Sequence, residues 1–328
     1  MRRRNLRVLT HAHAKAILLE GRTATGISFD WNGVDTIAHA RGELILASGT
    51  IGTPQLLELS GIGRGNHLQS LGVATKLDLP GVGENLQDHL QVRLTYKVQN
   101  ALTRDQLAST LYGKASIALQ YAVWRRGPMA MAPSQLGAFA KSDTSQATPN
   151  LQYHAQPLTL DRFGEPLHAH PAITASVANL RPDSRGHAHA KSPDYRTHPS
   201  IRLNYLAAPR DRKVAVDAIR LIRRIMATQA FAPYRPEEVL PGTALQAEDE
   251  LEQAAGRIAS TIFHPVGTAR MGNDGMAVVD DRLRVRGISG LRVIDASVMP
   301  TITSGNTAAP TMMIAEKGAA MIAEDRRA

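Results

Sequence analysis

The 328-residue sequence contains no cysteine. That excludes disulfide bridges, thiolate metal sites and a cysteine nucleophile, and it fits a reducing, cytoplasmic compartment. Aromatic residues make up only 4%. That is a poor supply of stacking platforms for single-stranded nucleic acid and of rings to cage a quaternary ammonium. No run of about 18 apolar residues occurs, so no membrane-spanning helix is expected. The N-terminus is basic, MRRRNLRVLTHAHAKAILLE. Histidines and a lysine interrupt it before it reaches the roughly 7–15 apolar residues of a secretion signal.

What is present is ordinary for a globular chain. Hydrophobic residues make up 43% and charged residues 20%, enough for two domains or one large one around a sizeable core. The formal net charge is +9. The arginines fall in scattered pairs (Arg125 and Arg126, Arg223 and Arg224, Arg326 and Arg327), with no basic stripe and no nucleic-acid motif. The charge therefore reads as solvated surface, and no nucleic-acid partner is expected. A basic face also suits anionic lipid, so peripheral contact with the inner face of the membrane is a further expectation.

Apolar runs at Leu6–Leu9, Ala16–Leu19 and Gly26–Phe29 read as short strands, with turns at Glu20-Gly21 and Asn32-Gly33. Glu43–Ala47 reads as a short buried strand running into a glycine turn. A helix over Gln55–Leu59 follows, with Thr53 as N-cap, Pro54 at its first position and Gly61 and Gly63 ending it. Strand, glycine turn and helix mouth in succession can offer backbone N–H groups to a nucleotide, although Gly49 and Gly52 do not make the full GxGxxG pattern. From Gln91 to about Gly256, strand-like pieces (Val92–Val98, Ala172–Leu180, Ile201–Tyr205) mix with helical ones (Leu107–Trp124, Asp211–Thr228). Val214, Ala218, Leu221, Ile222 and Ile225 form one apolar helical stripe. Towards the end, Leu291–Ile294 reads as a buried strand and Thr307–Ile322 as a helix.

Three clusters exceed this background: GTIGTPQLLELSGIG (49–63), LPGVGENLQDH (79–89), and HPVGTARMG from His264 followed by VIDASVMPTITSGNTAAPTMMIAEKGA. The first resembles the second signature of the glucose-methanol-choline (GMC) oxidoreductase family at every defining position. The third resembles that family's C-terminal active-site region, especially in the choline- and alcohol-dehydrogenase-like branch. Between them, ANLRPDSRGHAHAKSPDYRTHPSIRLNYL is similar to the family's substrate-domain strands. The resemblance covers essentially the whole chain.

The resemblance implies an α/β fold with an α+β insertion. Residues 1–90 and 257–328 would form a partial, doubly wound (Rossmann-like) FAD-binding domain. Residues 91–256 would form a substrate domain with a mainly antiparallel sheet. It also implies oxidation of an alcohol to an aldehyde or ketone, hydride passing to flavin N5. His264 matches the family's base, a task imidazole suits because its ordinary pKa of about 6.5 is near neutral. Asn306 matches the second active-site position, where an amide holds the alcohol oxygen; by its own chemistry it also reads as a helix N-cap.

Further cofactor contacts are implied at Ala14 (main chain against adenine), Ser48 and Gly49 (adenosine side), Asp295 and Ala296 (ribityl or pyrophosphate) and Thr307. Glu84, Asn85, Asp88 and His89 are expected to order a loop near the flavin. No metal is expected there, because no second histidine stands at ligand spacing.

The family's N-terminal GxGxxG segment has no counterpart here, so the chain reads as the family's C-terminal part and is expected to bind FAD weakly or not at all alone. Its alternative reading is an inactive truncated remnant serving as a binding or structural module. The scarcity of aromatics favours a neutral or aliphatic alcohol over choline. The electron acceptor, quinone or another, is left open.

Overall fold

The computed structural model describes residues 3–132, 134–159, 167 and 170–327. The chain divides into two compact units: Met1–Asp88 with Ser184–Asn204 and His264–Ala328, and His89–Asp183 with Tyr205–Phe263. The first unit thus takes in residues 184–204, which carry no signal in the sequence that separates them from the middle of the chain.

In the first unit, strands Ala12–Glu20, Thr23–Trp31 and Val34–His39 form an antiparallel meander. Asn32 and Gly33 both take positive φ (53° and 84°), the left-handed pair that a tight hairpin turn demands. Leu6–Leu9 forms no strand, and its apolar side chains are exposed. Leu44–Leu46 pairs in parallel with Leu291–Val293, and His187–His189 pairs antiparallel with Ser200–Arg202. The core gathers Ile17, Leu46, Leu57, Ile62, Val82, Val279 and Val293. Arg292 is buried at 1% exposure. It pays for that burial with a bidentate pair to Glu43 (2.7 and 2.9 Å) and a contact to Asp325 at the end of the helix Ala308–Asp325.

The helix in the first signature starts earlier than its residues suggest. It spans Gly49–Leu59 with Ser48 at the N-cap, and Pro54 lies inside it. Thr53 does not cap; its hydroxyl donates to Asp295 instead, at 2.6 Å. Pro54 has no N–H for the carbonyl four residues back, that of Thr50. The Thr268 hydroxyl donates to that carbonyl, at 2.5 Å.

The second unit is built on an antiparallel sheet in the order Glu237–Leu240, Leu90–Lys97, Ala172–Asn179, Leu151–Gln156, Leu136–Ala140, with Ala259–Thr261 also paired to Leu90–Lys97. Helices Pro209–Met226 and Glu248–Ile258 cover the face that shows Val92, Leu94, Tyr96, Tyr153 and Val177. The long helix buries Val214, Ala215, Ala218, Ile219, Ile222 and Met226, whereas Ile225 is 40% exposed. Its stripe therefore runs through Ile219 and Met226, one step round from the expected one. At its polar margin Arg223 makes a bidentate pair with Glu238 (2.8 and 2.9 Å). The expected helix over Leu107–Trp124 is broken into Arg104–Leu107 and Leu111–Trp124. The hydroxyl of Thr110 caps the second piece by accepting from Gly113 N.

Candidate active site

His264 lies at the start of a stretch, 264–290, that forms no helix or strand beyond isolated bridges. Side chains from distant parts of the first unit fix it. Asp88, buried at 4% exposure, accepts from His264 N at 2.8 Å. Gln87 and Val266 exchange both main-chain bonds, 2.9 and 3.0 Å. The Thr50 hydroxyl donates to Pro265 O at 2.7 Å while its carbonyl receives Thr268. Gly267 takes φ 99°, and a Cβ there would lie 2.6 Å from Asn85 O, so only glycine lets the loop pass that close.

The same QDH segment reaches the loop that carries Asn306. Gln87 Oε1 accepts from Ile302 N at 3.1 Å and its Nε2 donates to Pro300 O at 3.1 Å. Asn85, at φ 61°, donates to Gly267 O and Pro300 O, both at 3.2 Å. The outcome is an approach of 3.3 Å between Asn306 Nδ2 and His264 Nε2. An amide N–H only donates, so in this pair Nε2 is the acceptor. His264 is 8% exposed, and Asn306 is exposed. Thr307, not Asn306, stands at the N-cap of Ala308–Asp325, with no side-chain cap and no acid in the first turn.

Asp295 ends the parallel strand as a buried carboxylate (5% exposure) with four short bonds. Oδ2 accepts from Gly49 N (2.9 Å) and Thr53 Oγ1 (2.6 Å); Oδ1 accepts from Ser297 N (2.8 Å) and Ser297 Oγ (2.5 Å). Its oxygens are committed within the chain, so what it can offer a ligand is main chain. Ala296 O accepts from Gly267 N at 3.3 Å, joining this corner to the His264 loop. Ala14 is half-buried beside a bulge in its strand, and Ser48 is exposed at the helix mouth. His89 belongs to the second unit, where its Nε2 lies 3.3 Å from Leu180 O. Glu84 pairs with Arg64 at 2.7 Å.

Thr50, Thr268 and Gln87 act on this site but were not singled out by the sequence; only the proline inside a helix signals that a carbonyl needs an outside donor.

The first unit meets one test for a flavin. Thr303 Oγ1 is buried and without a partner. Nothing lies within 4 Å of where a Cβ would stand at Gly49 or Gly305. The mouth of Ala308–Asp325 is uncapped by side chains. Open glycines, an unmatched hydroxyl and a helix mouth that favours negative charge fit a polar, electron-accepting ring system.

The GMC oxidoreductase family models match residues 1–91 and 182–315. The oxygen-dependent choline dehydrogenase of Burkholderia pseudomallei is 41% identical over 315 residues, 96% of this chain and 56% of the relative. That of Yersinia pseudotuberculosis is 41% identical over 317 residues, with the same coverage. Formate oxidase of Aspergillus oryzae RIB40, in a structure concerned with modification of its FAD, superposes with a TM-score of 0.90 at 27% identity, covering 96% of this chain and 60% of the other. The chain spans 56% of the length of these curated relatives. It belongs to the GMC oxidoreductase family.

Proposed function

We propose that this chain carries the alcohol-oxidising residues of an FAD-dependent GMC oxidoreductase that turns an alcohol into an aldehyde or ketone. The observation behind this reading is the 3.3 Å approach of Asn306 Nδ2 to His264 Nε2 beside an open helix mouth. His264 takes the hydroxyl proton at Nε2. Asn306 donates to the alkoxide oxygen without competing for the proton. The flavin, when bound, supplies the hydride acceptor. Asp88, Thr50 and Thr268 keep the base in place through its main chain.

On the cofactor side, Ala14, Gly49, Asp295 and Ala296 offer main chain, Ser48 stands at the first helix mouth, and Asn306 and Thr307 stand at the second. The first unit is then the partial doubly wound cofactor domain, supported by its parallel pair of strands, and the second is the substrate domain. Choline is the first alcohol to assay, because the relatives at 41% identity are named for it; neutral aliphatic alcohols, favoured by the scarcity of aromatics, come second. The electron acceptor is a quinone or a comparable carrier. The charge of +9 suits a peripheral place on anionic membrane. Among the described residues no helix is long and apolar enough to cross one.

Alcohol-dependent dye reduction, measured after mixing the chain with a separately expressed N-terminal flavin segment, tests this. His264→Ala is expected to lower kcat by about 10²- to 10⁴-fold with flavin absorbance retained. An unchanged kcat in that variant overturns the role of His264. Bound flavin with no turnover on any alcohol is the result a purely structural module gives.

A further inference from the structure

Away from His264, the first unit brings together a second set of titratable side chains. Glu58 lies near the end of the helix Gly49–Leu59, His67 in the short helix Gly65–Ser70, and His189 at the end of the strand His187–His189. The Glu58 side chain is fully buried, and those of His67 and His189 are 26% and 16% exposed. One ligand atom from each of the three lies within 4.8 Å of the others.

We propose that Glu58, His67 and His189 form a structural site for a zinc-class divalent cation.

Donor chemistry supports it first. Two imidazoles and one carboxylate make a set that zinc takes at about 2.0–2.2 Å, whereas magnesium and calcium prefer oxygen alone. The fate of His67 supports it next. Its Nε2 is buried without a hydrogen-bond partner and faces Glu58 Oε2 at 3.8 Å, beyond hydrogen-bond reach. A cation between the two would give this buried nitrogen the partner it lacks. The gap to close is small: donors spread over 4.8 Å need to come in by about an ångström, within reach of side-chain rotation in a six-residue helix.

The surroundings already have the form of an outer shell. Glu58 Oε2 accepts from Ala190 N at 2.7 Å, which orients the carboxylate. His189 turns Nδ1 to Glu58 Oε1 at 2.7 Å and Nε2 to Glu84 Oε1 at 3.4 Å. Arg64 holds Glu84 in turn at 2.7 Å. With Nδ1 on the metal, the Nε2–H donates to Glu84, the carboxylate–histidine–metal relay that fixes tautomer and ring direction. Gly83, at φ 81°, makes room for the ring: a Cβ there would lie 2.5 Å from His189 Nδ1. A metal here would clasp the first signature's helix to the 187–202 hairpin, and it takes no part in the chemistry of His264.

The test is titration of the untagged, chelator-treated protein with Zn²⁺ by calorimetry and with Co²⁺ by visible absorption. One equivalent is expected to bind, with the low-symmetry Co²⁺ spectrum of a four- or five-coordinate N/O site, and Zn²⁺ is expected to raise Tm. His67→Ala should abolish the Co²⁺ spectrum and the Tm shift while its metal-free Tm stays that of the parent. Glu84→Gln should weaken Zn²⁺ by about 10- to 100-fold, and the exposed-site control His198→Ala should change nothing. Failure to bind either ion overturns the proposal, as does binding that survives His67→Ala or follows His198. Should His67→Ala not fold, Glu84→Gln decides: unchanged affinity and spectrum overturn the site.

Discussion

In the sheet unit, Ala172 through Ala178 pair in unbroken register with Lys97 through Gln91, and an apolar helix face closes over the strands. In the unit that holds His264, residues 264–290 form almost no ladder. They are held by bonds with Asp88, Thr50 and the Gln87 main chain, more than 170 residues away in sequence. The sheet unit is stabilised by repetition, so one weak element is shared among many. The other has its own apolar core, but its 264–290 stretch is placed by single polar contacts rather than by a repeating ladder.

The sharpest way to break this contrast is Asp295→Ala. Removing a buried carboxylate leaves Gly49 N, Thr53, and both Ser297 donors unmatched. A loss of about 4 kcal/mol in urea unfolding is expected; a loss below about 1 kcal/mol would mean that single polar contacts do not govern this unit. Leu94→Ala, at a fully buried position in the sheet unit, should cost about 3 kcal/mol with alcohol oxidation unaltered per folded molecule.

Thr268→Val should cost about 1 kcal/mol because it strips the Thr50 carbonyl of its donor. Adding Pro54→Ala restores a main-chain N–H to that carbonyl, so the double variant should recover most of the loss. Additive losses would sink the exchange of donors described above. The smallest effect concerns pH. Burial pulls the His154 pKa below its ordinary 6.5. A histidine whose folded pKa is depressed contributes stability that is full above the unfolded value and is lost as pH falls through the folded one. His154→Gln should therefore flatten the stability curve just below pH 6.5 and leave it unchanged above pH 8.

The hairpin at Asn32-Gly33 and most long elements were legible because period and turn chemistry are local. The loop over 264–290 and the pairing of Thr53 with Asp295 were not, since they rest on partners 176 to 242 residues away in sequence. The resemblance pointed to His264 and Asn306 through HPVGT and SGNTAAP, and the structure brings the two together. Threonine followed by proline has good capping chemistry, but the distant carboxylate of Asp295 takes the Thr53 hydroxyl and the helix starts at Gly49. Periodicity alone fixes helical phase poorly where Ile219 and Met226 offer an equal stripe, and Ile225 lies one step off the buried face.

The committed carboxylate of Asp295 also sets the electric character of the first helix mouth. A helix N-terminus carries about half a positive charge. At Gly49 that end meets the side chain of Asp295, which accepts from Gly49 N at 2.9 Å. The helix is thus supplied with an anion of the protein's own at the end where a free one would collect anions from solution.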